Sequence, residues 1–135
     1  MRNKIVVHFK DGRLLKGYTL DFTPIKKIFH LTSEMEEDAG KTYEISTTEL
    51  KAIFFVKTLK GNKDYYEKKS FDEIDKTKLR GIKLEVEFFD GEIISGTSFV
   101  YKSDKEGFFM VPLDEKSNNS RIYIIKDAAC SIKTL

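Results

Sequence analysis

The sequence has a single cysteine, a small net charge and only short apolar runs. Its one cysteine, Cys130, cannot form a disulfide within the chain. The longest apolar runs, such as residues 52–56, are far shorter than the ~20 residues that cross a bilayer. The start of the chain, residues 1–4, leads directly into a strand pattern without a signal-peptide core. We therefore expect a cytoplasmic protein with no membrane segment.

An excess of either charge is also missing. The 24 basic and 22 acidic residues leave a formal net charge of +2, which does not indicate a polyanionic partner for the molecule as a whole. Any nucleic-acid site would have to be a local patch. The chain has only 8 glycines and 2 prolines, while 40% of its residues are hydrophobic. This composition excludes a disordered or fibrous protein and predicts a globular one.

Motifs for catalysis and for cofactor binding are missing as well. The sequence contains neither a glycine-rich phosphate loop nor a metal-ligand spacing. His8 and His30 are isolated histidines on strands, which are usually inert on a sheet surface. Cys130 precedes an apolar strand and is expected to be a buried structural thiol. We therefore predict a non-enzyme without cofactor or metal.

The strongest positive feature is an internal repeat. A shift of 79 positions places residues 4–56 on residues 83–135 without a gap and gives eleven identities in 53 positions. The identities include residues that are constrained by turn geometry or by burial. The turn and bend residues among them are Asp11, Gly12, Gly17, Asp90, Gly91 and Gly96.

Each copy reads as a series of short strands. Alternating apolar residues, such as Ile5, Val7 and Phe9, indicate a strand with one buried face, and the Asp-Gly pair that follows is typical of a tight hairpin. Gly17 and its counterpart Gly96 lie within the second strand, where glycine indicates a bulge, a bend or a close backbone approach. We expect five strands in each copy.

The repeat predicts an all-β protein of two tandem five-stranded small barrels. The first barrel is expected over residues 1–59 and the second over residues 80–135, with a charged linker at residues 60–79. Within the linker, Gly61-Asn62 is a turn pair. Ser70 to Glu73 has the spacing of a capping box, which predicts a short helix from about Phe71 to Lys76.

The hairpin motif resembles that of a known family. The stretch Val7–Gly12 followed by Gly17, and Val86–Gly91 followed by Gly96, are similar to the first motif of the Sm-like small β-barrels, which include the bacterial Sm-like RNA chaperone. The resemblance implies Sm-like or SH3-like barrels. It does not extend to the family's RNA pocket, whose motifs do not match the corresponding stretches at residues 23–27, 103–106, 48–51 and 127–130.

The chain as a whole also resembles an uncharacterised bacterial domain family, which occurs alone or attached to signalling proteins. The shared features are the repeated Asp-Gly hairpins and a Ser-Asn-Asn-x-Arg stretch, here Ser117 to Arg121. This resemblance implies no particular activity.

Two strands are apolar on both faces, at residues 53–56 and 122–125. Such strands must be covered twice, either within the chain by the linker or the other copy, or by a partner. Sm-like barrels join by pairing between their late strands. The resemblance therefore implies that the two barrels of this chain already share one such junction, and that another strand edge is left for self-assembly or a partner. We therefore expect a binding or regulatory module for protein contact or self-assembly, with candidate interface residues Phe54, Phe55, Tyr123 and Ile125.

Two other functions remain open. The candidate contacts for RNA are Lys26, Lys27, Lys63, Tyr65 and Tyr66. Basic and aromatic residues together are typical of single-strand binding, but acidic residues interrupt the linker, whose tyrosines would alternatively pack over the junction of the barrels. Tandem barrels also form a groove between them, in which a small ligand could be sensed.

Overall fold

The computed structural model describes residues 2–61 and 63–135, and its described strands number ten. The all-β class predicted from the sequence is confirmed. The strands are β1 (Asn3–Phe9), β2 (Leu14–Thr19), β3 (Ile28–Ser33), β4 (Thr42–Ser46), β5 (Leu50–Val56), β6 (Ile82–Phe88), β7 (Ile93–Ser98), β8 (Gly107–Pro112), β9 (Asn119–Ile125) and β10 (Ala129–Thr134). Short 3-10 turns lie at Thr47–Glu49, Phe71–Glu73, Lys76–Lys78 and Lys126–Ala128.

All ten strands belong to one antiparallel sheet, in the order β10-β6-β7-β8-β9-β5-β1-β2-β3-β4. We call β1–β5 the first half and β6–β10 the second half. The two halves are joined where β5 pairs with β9, so that they form one continuous open sheet. Closure of either half into a barrel stays a prediction.

The strand pairing repeats with the offset found in the sequence. Val7 lies opposite Ile53 in the first half, and Val86 lies opposite Ile132 in the second. The register is therefore the same in both halves. In each half, the pairing of the first strand with the fifth also contains a register shift at the equivalent place. Further pairs related in this way are Ile5↔Gly17 with Leu84↔Gly96, Phe29↔Ile45 with Phe108↔Ile124, and Gly17↔Ser33 with Gly96↔Pro112.

Each half has a hydrophobic core, and both cores extend across the junction. Tyr123 and Ile125 of β9 pack in the core of the first half, beside Phe55. Ala52 of β5 packs in the core of the second half, with Phe54 against it. Since neighbouring strand residues point to opposite faces, β5 and β9 each contribute to both cores. This explains why both strands are apolar on both faces.

Glycine is required for two different reasons. Gly12 and Gly91 have φ of +93° and +91°, which glycine adopts without strain in the Asp-Gly turns. Gly17 has an ordinary φ, but a Cβ atom there would lie 2.0 Å from the carbonyl oxygen of Thr32 on the neighbouring strand. Gly96 repeats this close approach, with 2.5 Å to the carbonyl oxygen of Val111.

The short helix predicted from about Phe71 to Lys76 begins at Phe71 with its capping box, but it is a single 3-10 turn. This first turn, Phe71–Glu73, is followed by a second one at Lys76–Lys78. The Glu73 carboxylate accepts hydrogen bonds from the backbone at the start of the first turn, as the capping pattern indicates. Asp75 then accepts from the backbone nitrogen of Thr77 at 3.0 Å and caps a second turn, so the first does not continue. In the turn pair Gly61-Asn62, Asn62 lies outside the described residues.

The linker is fixed to the loop between β8 and β9. Asp114 in this loop is buried, and it accepts hydrogen bonds from the Tyr65 hydroxyl at 2.5 Å and the Lys68 backbone nitrogen at 2.9 Å. The buried hydroxyl of Ser117 donates to Glu67 at 2.8 Å. Because buried polar groups need partners, these bonds define the path of the linker.

Candidate binding groove

A groove of about 670 Å³ lies between the two halves. The loop before β3 contributes residues 22–27, and the loop before β8 contributes residues 104–106. The turns before β5 and β10 contribute residues 47–48 and 126–127. Residues 104–106 and 126–127 are the repeat counterparts of residues 25–27 and 47–48. The same structural elements of both halves thus line one groove, whose size is typical of ligand sites.

Three groove-lining residues that are buried or half-buried, Phe22, Tyr123 and Ile125, are called its floor, and other aromatic rings pack behind them. The Phe22 ring centroid lies 5.2 Å from that of Phe29 and 5.2 Å from that of Tyr123, with tilted, edge-on contacts. Phe109 packs on Tyr123 at 4.9 Å. A Cβ atom at Gly107 would lie 2.5 Å from the Tyr123 hydroxyl oxygen, so only glycine leaves space for this ring. Burial, with a smaller contribution from the Glu106 charge, raises the pKa of Tyr123.

Two strongly exposed apolar side chains lie at the rim. Ile25 is 93% exposed and Phe89 is 75% exposed, and both line the groove. Phe89 follows β6 and belongs to the second half, while Ile25 belongs to the first. Exposed apolar groups beside a groove are typical of an interaction surface.

The charges at the rim are nearly balanced. The lysines that line the groove are Lys26, Lys27, Lys105 and Lys126, and the acids are Asp104, Glu106 and Asp127. Lys27 Nζ lies 3.8 Å from Glu106 Oε1, and Lys10 Nζ lies 3.4 Å from Asp127 Oδ2. These pairs are solvent-exposed and contribute little to stability, but they reduce the positive charge available to a ligand.

The loop that carries Phe22 is held by Asp21 and His30. The His30 ring nitrogen Nδ1 lies 2.7 Å from Asp21 Oδ2, and the His30 backbone nitrogen donates to Asp21 Oδ1 at 2.9 Å. Although partial burial acts in the opposite direction, these bonds and one from Thr19 hold the pKa of Asp21 below its usual value. The pair therefore positions one wall of the groove.

His8 is partly buried on β1. Its ring packs on Phe54 with centroids 4.5 Å apart. Burial, followed by the positive charge of Lys51, lowers the pKa of His8.

The groove brings together four residues that the sequence assigned to two different functions. Lys26 and Lys27, proposed for RNA, lie at the rim, while Tyr123 and Ile125, proposed as an interface, lie at the floor. Tyr123 and Ile125 are buried in the first core at the same time.

The other two candidate interface residues lie inside the chain. Phe55 is buried, and Phe54 is half-buried against the second core. In the register of the junction, Phe54 lies opposite Ile122 and Phe55 lies opposite Arg121. The two doubly apolar strands lie side by side, and the two cores of the chain cover their faces, which is one of the alternatives that the sequence left open.

The linker candidates for RNA binding lie away from this groove lining. Lys63 and Tyr66 are exposed on the linker, and the Tyr65 hydroxyl is bonded to Asp114. Hydrogen bonding to Asp114 raises the pKa of Tyr65 to about 12. Tyr65 therefore has a structural contact with the loop that leads into β9, whereas Tyr66 is 79% exposed.

Sequence reasoning missed Phe22, Ile25 and Phe89 as groove residues. The one signal was the type of residue: Ile25 and Phe89 are apolar at loop positions, and Phe89 directly precedes the Asp90-Gly91 turn. Apolar residues in turns are not diagnostic by themselves, since single exposed apolar side chains are common.

Cys130 is exposed on β10, so the expectation of a buried thiol was wrong. Its counterpart in the repeat, Lys51 of β5, is only 8% exposed because the second half covers it. The position on β10 has no such cover within the described residues.

The described residues contain neither a metal-ligand cluster nor a helix that could span a membrane. Across residues 2–61 and 63–135, no group of three or more His, Cys, Asp or Glu side chains is arranged to hold a metal ion. The helical segments in the same ranges are too short to span a bilayer.

Comparison with known proteins identifies a family but not a function. The family model for DUF6982, described as a family of unknown function, matches residues 1–135. No curated protein and no solved structure matches the chain. The full-length match agrees with the resemblance to an uncharacterised domain family. The chain therefore belongs to DUF6982, a family of unknown function.

Proposed function

We propose that this chain is a non-catalytic cytoplasmic binding module that mediates protein–protein contact through the groove between its two halves. The observation that supports it best is the exposure of Ile25 and Phe89 beside an aromatic floor. Burying these side chains against a partner would remove apolar surface from water, at roughly 25 cal/mol per Å².

The charge of the rim favours a polypeptide over a polyanion. Lys27 and Lys126 could attract phosphates, but Asp104 and Glu106 lie in the same rim and would repel them. A protein segment with apolar side chains and charges of both signs matches such a rim better. The occupant that we propose is therefore a short segment of a partner protein with one or two large apolar residues.

Strand addition at the sheet edges is supported less well. The outer strands β4 and β10 carry exposed charged residues, Glu44 and Lys133. Charged residues on edge strands are a common protection against pairing. The groove is therefore the better candidate for protein contact.

The scaffold for this site would be two Sm-like or SH3-like small barrels, over residues 1–59 and 80–135, with the linker at 60–79. The common register of both halves supports this proposal, as does the position of each fifth strand beside the first. The loops that line the groove would then be equivalent loops of two barrels.

Peptide selection tests the proposal. A display library of short random peptides is panned against the full chain, and the affinity of selected peptides is measured by fluorescence anisotropy. We expect selected peptides to contain large apolar residues and to lose at least tenfold in affinity with the double variant Ile25→Asp/Phe89→Asp.

The chain offers a matched control for this experiment. Leu20 and Phe99 are 70% and 71% exposed but do not line the groove. The variant Leu20→Asp/Phe99→Asp removes similar apolar surface and is expected to bind the peptides unchanged. Equal losses in both double variants, or a selection without any binder, would contradict the proposal.

RNA binding is the second candidate, because Lys26 and Lys27 lie above the aromatic floor. The probe is a labelled single-stranded oligouridine at low salt. Binding that weakens with salt and is lost in Lys26→Glu/Lys27→Glu would favour RNA over a protein partner. We expect no such binding.

A further inference from the structure

The junction between β5 and β9 has a counterpart at the outer edges of the sheet. β5 and β9 are the fifth strand of the first half and the fourth strand of the second half. The strands in the equivalent positions, β10 and β4, are the two outer strands of the sheet. A second copy of the chain could therefore place its β4 on β10 and repeat the junction head to tail.

At the junction, the paired strands are apolar. Phe54 and Phe55 of β5 lie across from β9, and Tyr123 and Ile125 of β9 pack in the first core. Burial of these side chains from both halves stabilises the pairing.

The same four positions are polar at the outer edges. Under the shift of 79, Phe54 and Phe55 become Lys133 and Thr134, and Tyr123 and Ile125 become Glu44 and Ser46. Lys133, Thr134 and Glu44 are exposed, and Ser46 is half-buried. Pairing at these edges would bring an ammonium and a carboxylate to places where the junction has aromatic rings.

An ion-pair contact of the junction is also missing at the edges. Lys51 of β5 reaches Asp90 in the turn of the second half, with Nζ 2.7 Å from Oδ2. The counterparts of these residues are Cys130 and Asp11. A cysteine has no ammonium group, and Asp11 is already paired with Arg13 of its own turn, with Nε 2.8 Å from Oδ2.

We infer that Lys133, Thr134, Glu44 and Ser46 keep the outer edges from repeating the junction, so that the chain stays a two-half unit. The surface they protect fits a second copy of the same chain, in the register of β5 and β9. Natural sheets protect their edges from self-pairing with polar and charged residues of this kind. The inference concerns the edges alone and does not depend on the groove.

Restoring the residues of the junction tests the inference. The β10 variant carries Lys133→Phe/Thr134→Phe, the β4 variant carries Glu44→Tyr/Ser46→Ile, and a third protein carries all four changes. Analytical ultracentrifugation measures their mass, and circular dichroism verifies their folding. We expect the wild type and both double variants to sediment as single chains, and the quadruple variant to form head-to-tail rings or filaments.

Mixing supplies the matched control. The β10 variant and the β4 variant each have one restored edge, so together they should form a one-to-one complex and nothing larger. Self-association of either double variant alone would show general stickiness and overturn the inference. Assembly of the wild type through these edges would also overturn the inference. A folded quadruple variant that stays monomeric, or a mixture of the two folded double variants that forms no complex, would overturn it as well. If the quadruple variant fails to fold, the mixture of the two double variants still tests the inference.

Discussion

Lys51 of the first half donates a hydrogen bond to Asp90 of the second half, with Nζ 2.7 Å from Oδ2. It also bonds to Glu92, and its ammonium lies 4.8 Å from the centroid of the Phe88 ring. Lys51 is 8% exposed, whereas both carboxylates are about half-exposed. A single side chain thus ties β5 to the Asp-Gly turn of the other half and helps to fix the orientation of the two halves.

A double-mutant cycle should detect the interaction between Lys51 and Asp90. Lys51→Met keeps much of the packing of the side-chain stem and removes the charge. We expect Lys51→Met and Asp90→Asn to be coupled by about 0.5–1.5 kcal/mol in the free energy of unfolding, measured in urea. The matched control is Asp11→Asn, because Asp11 bonds to Arg13 of its own turn. Equal coupling of Lys51 to Asp90 and to Asp11 would contradict the assignment.

Acid should weaken the fold through His8. Burial, followed by the charge of Lys51, lowers the pKa of His8 from its usual 6.5, so the folded state favours the neutral ring. This contribution is complete above pH 6.5 and is lost as the pH falls from 6.5 toward the folded-state pKa. We expect urea midpoints to fall over this window in the wild type and to fall less in His8→Phe, which keeps a ring against Phe54. Identical profiles would exclude this role of His8.

The glycines should differ in tolerance although they belong to the same motif. Gly17→Ala places a Cβ atom 2.0 Å from the Thr32 carbonyl oxygen, so strands must move apart. We expect this change to lower the free energy of unfolding by about 3 kcal/mol or more. Gly12 has φ +93° but open space around it, so Gly12→Ala should cost only about 1–2 kcal/mol. Urea denaturation compares the two, and a larger cost at Gly12 would contradict the close approach at Gly17.

The linker contact should be visible in a tyrosine titration. The hydrogen bond to Asp114 raises the pKa of Tyr65 to about 12. Absorbance of tyrosinate should therefore show a late-titrating ring in the folded wild type, and this step should disappear in Tyr65→Phe. Because the folded-state pKa is raised, the contribution of this contact to stability is lost as the pH rises above 10. If Tyr65→Phe instead removed a ring that titrates near pH 10, the linker would not make this contact.

Repetition made much of the strand pattern predictable. The alternation of Ile5, Val7 and Phe9 and the fixed offset between the copies depend on local periodicity and burial, which a sequence displays directly. The doubly apolar stretch at residues 53–56 likewise indicated a strand covered on both faces. The two cores cover its faces because this strand pairs with β9 between the halves, and no local pattern specifies that pairing.

Cys130 and the groove show what could not be predicted from the sequence. The apolar context of Cys130 predicted burial, but burial at that position depends on a neighbouring strand, which Lys51 has through the second half and Cys130 does not within the described residues. The groove similarly arises from the relative position of loops that are far apart in the sequence, such as those of Ile25 and Phe89. Local propensities carry no information on such placements.

The central claim is that the groove between the halves is the binding site. Its most direct test is a proton–nitrogen correlation titration of the isotopically labelled full chain with a peptide selected by panning. We predict that the largest shifts occur at backbone amides of the groove, such as Lys26, Thr48 and Lys126, and that they vanish in Ile25→Asp/Phe89→Asp. Shifts confined to the edge strands β4 and β10, with the groove amides unmoved, would contradict the account.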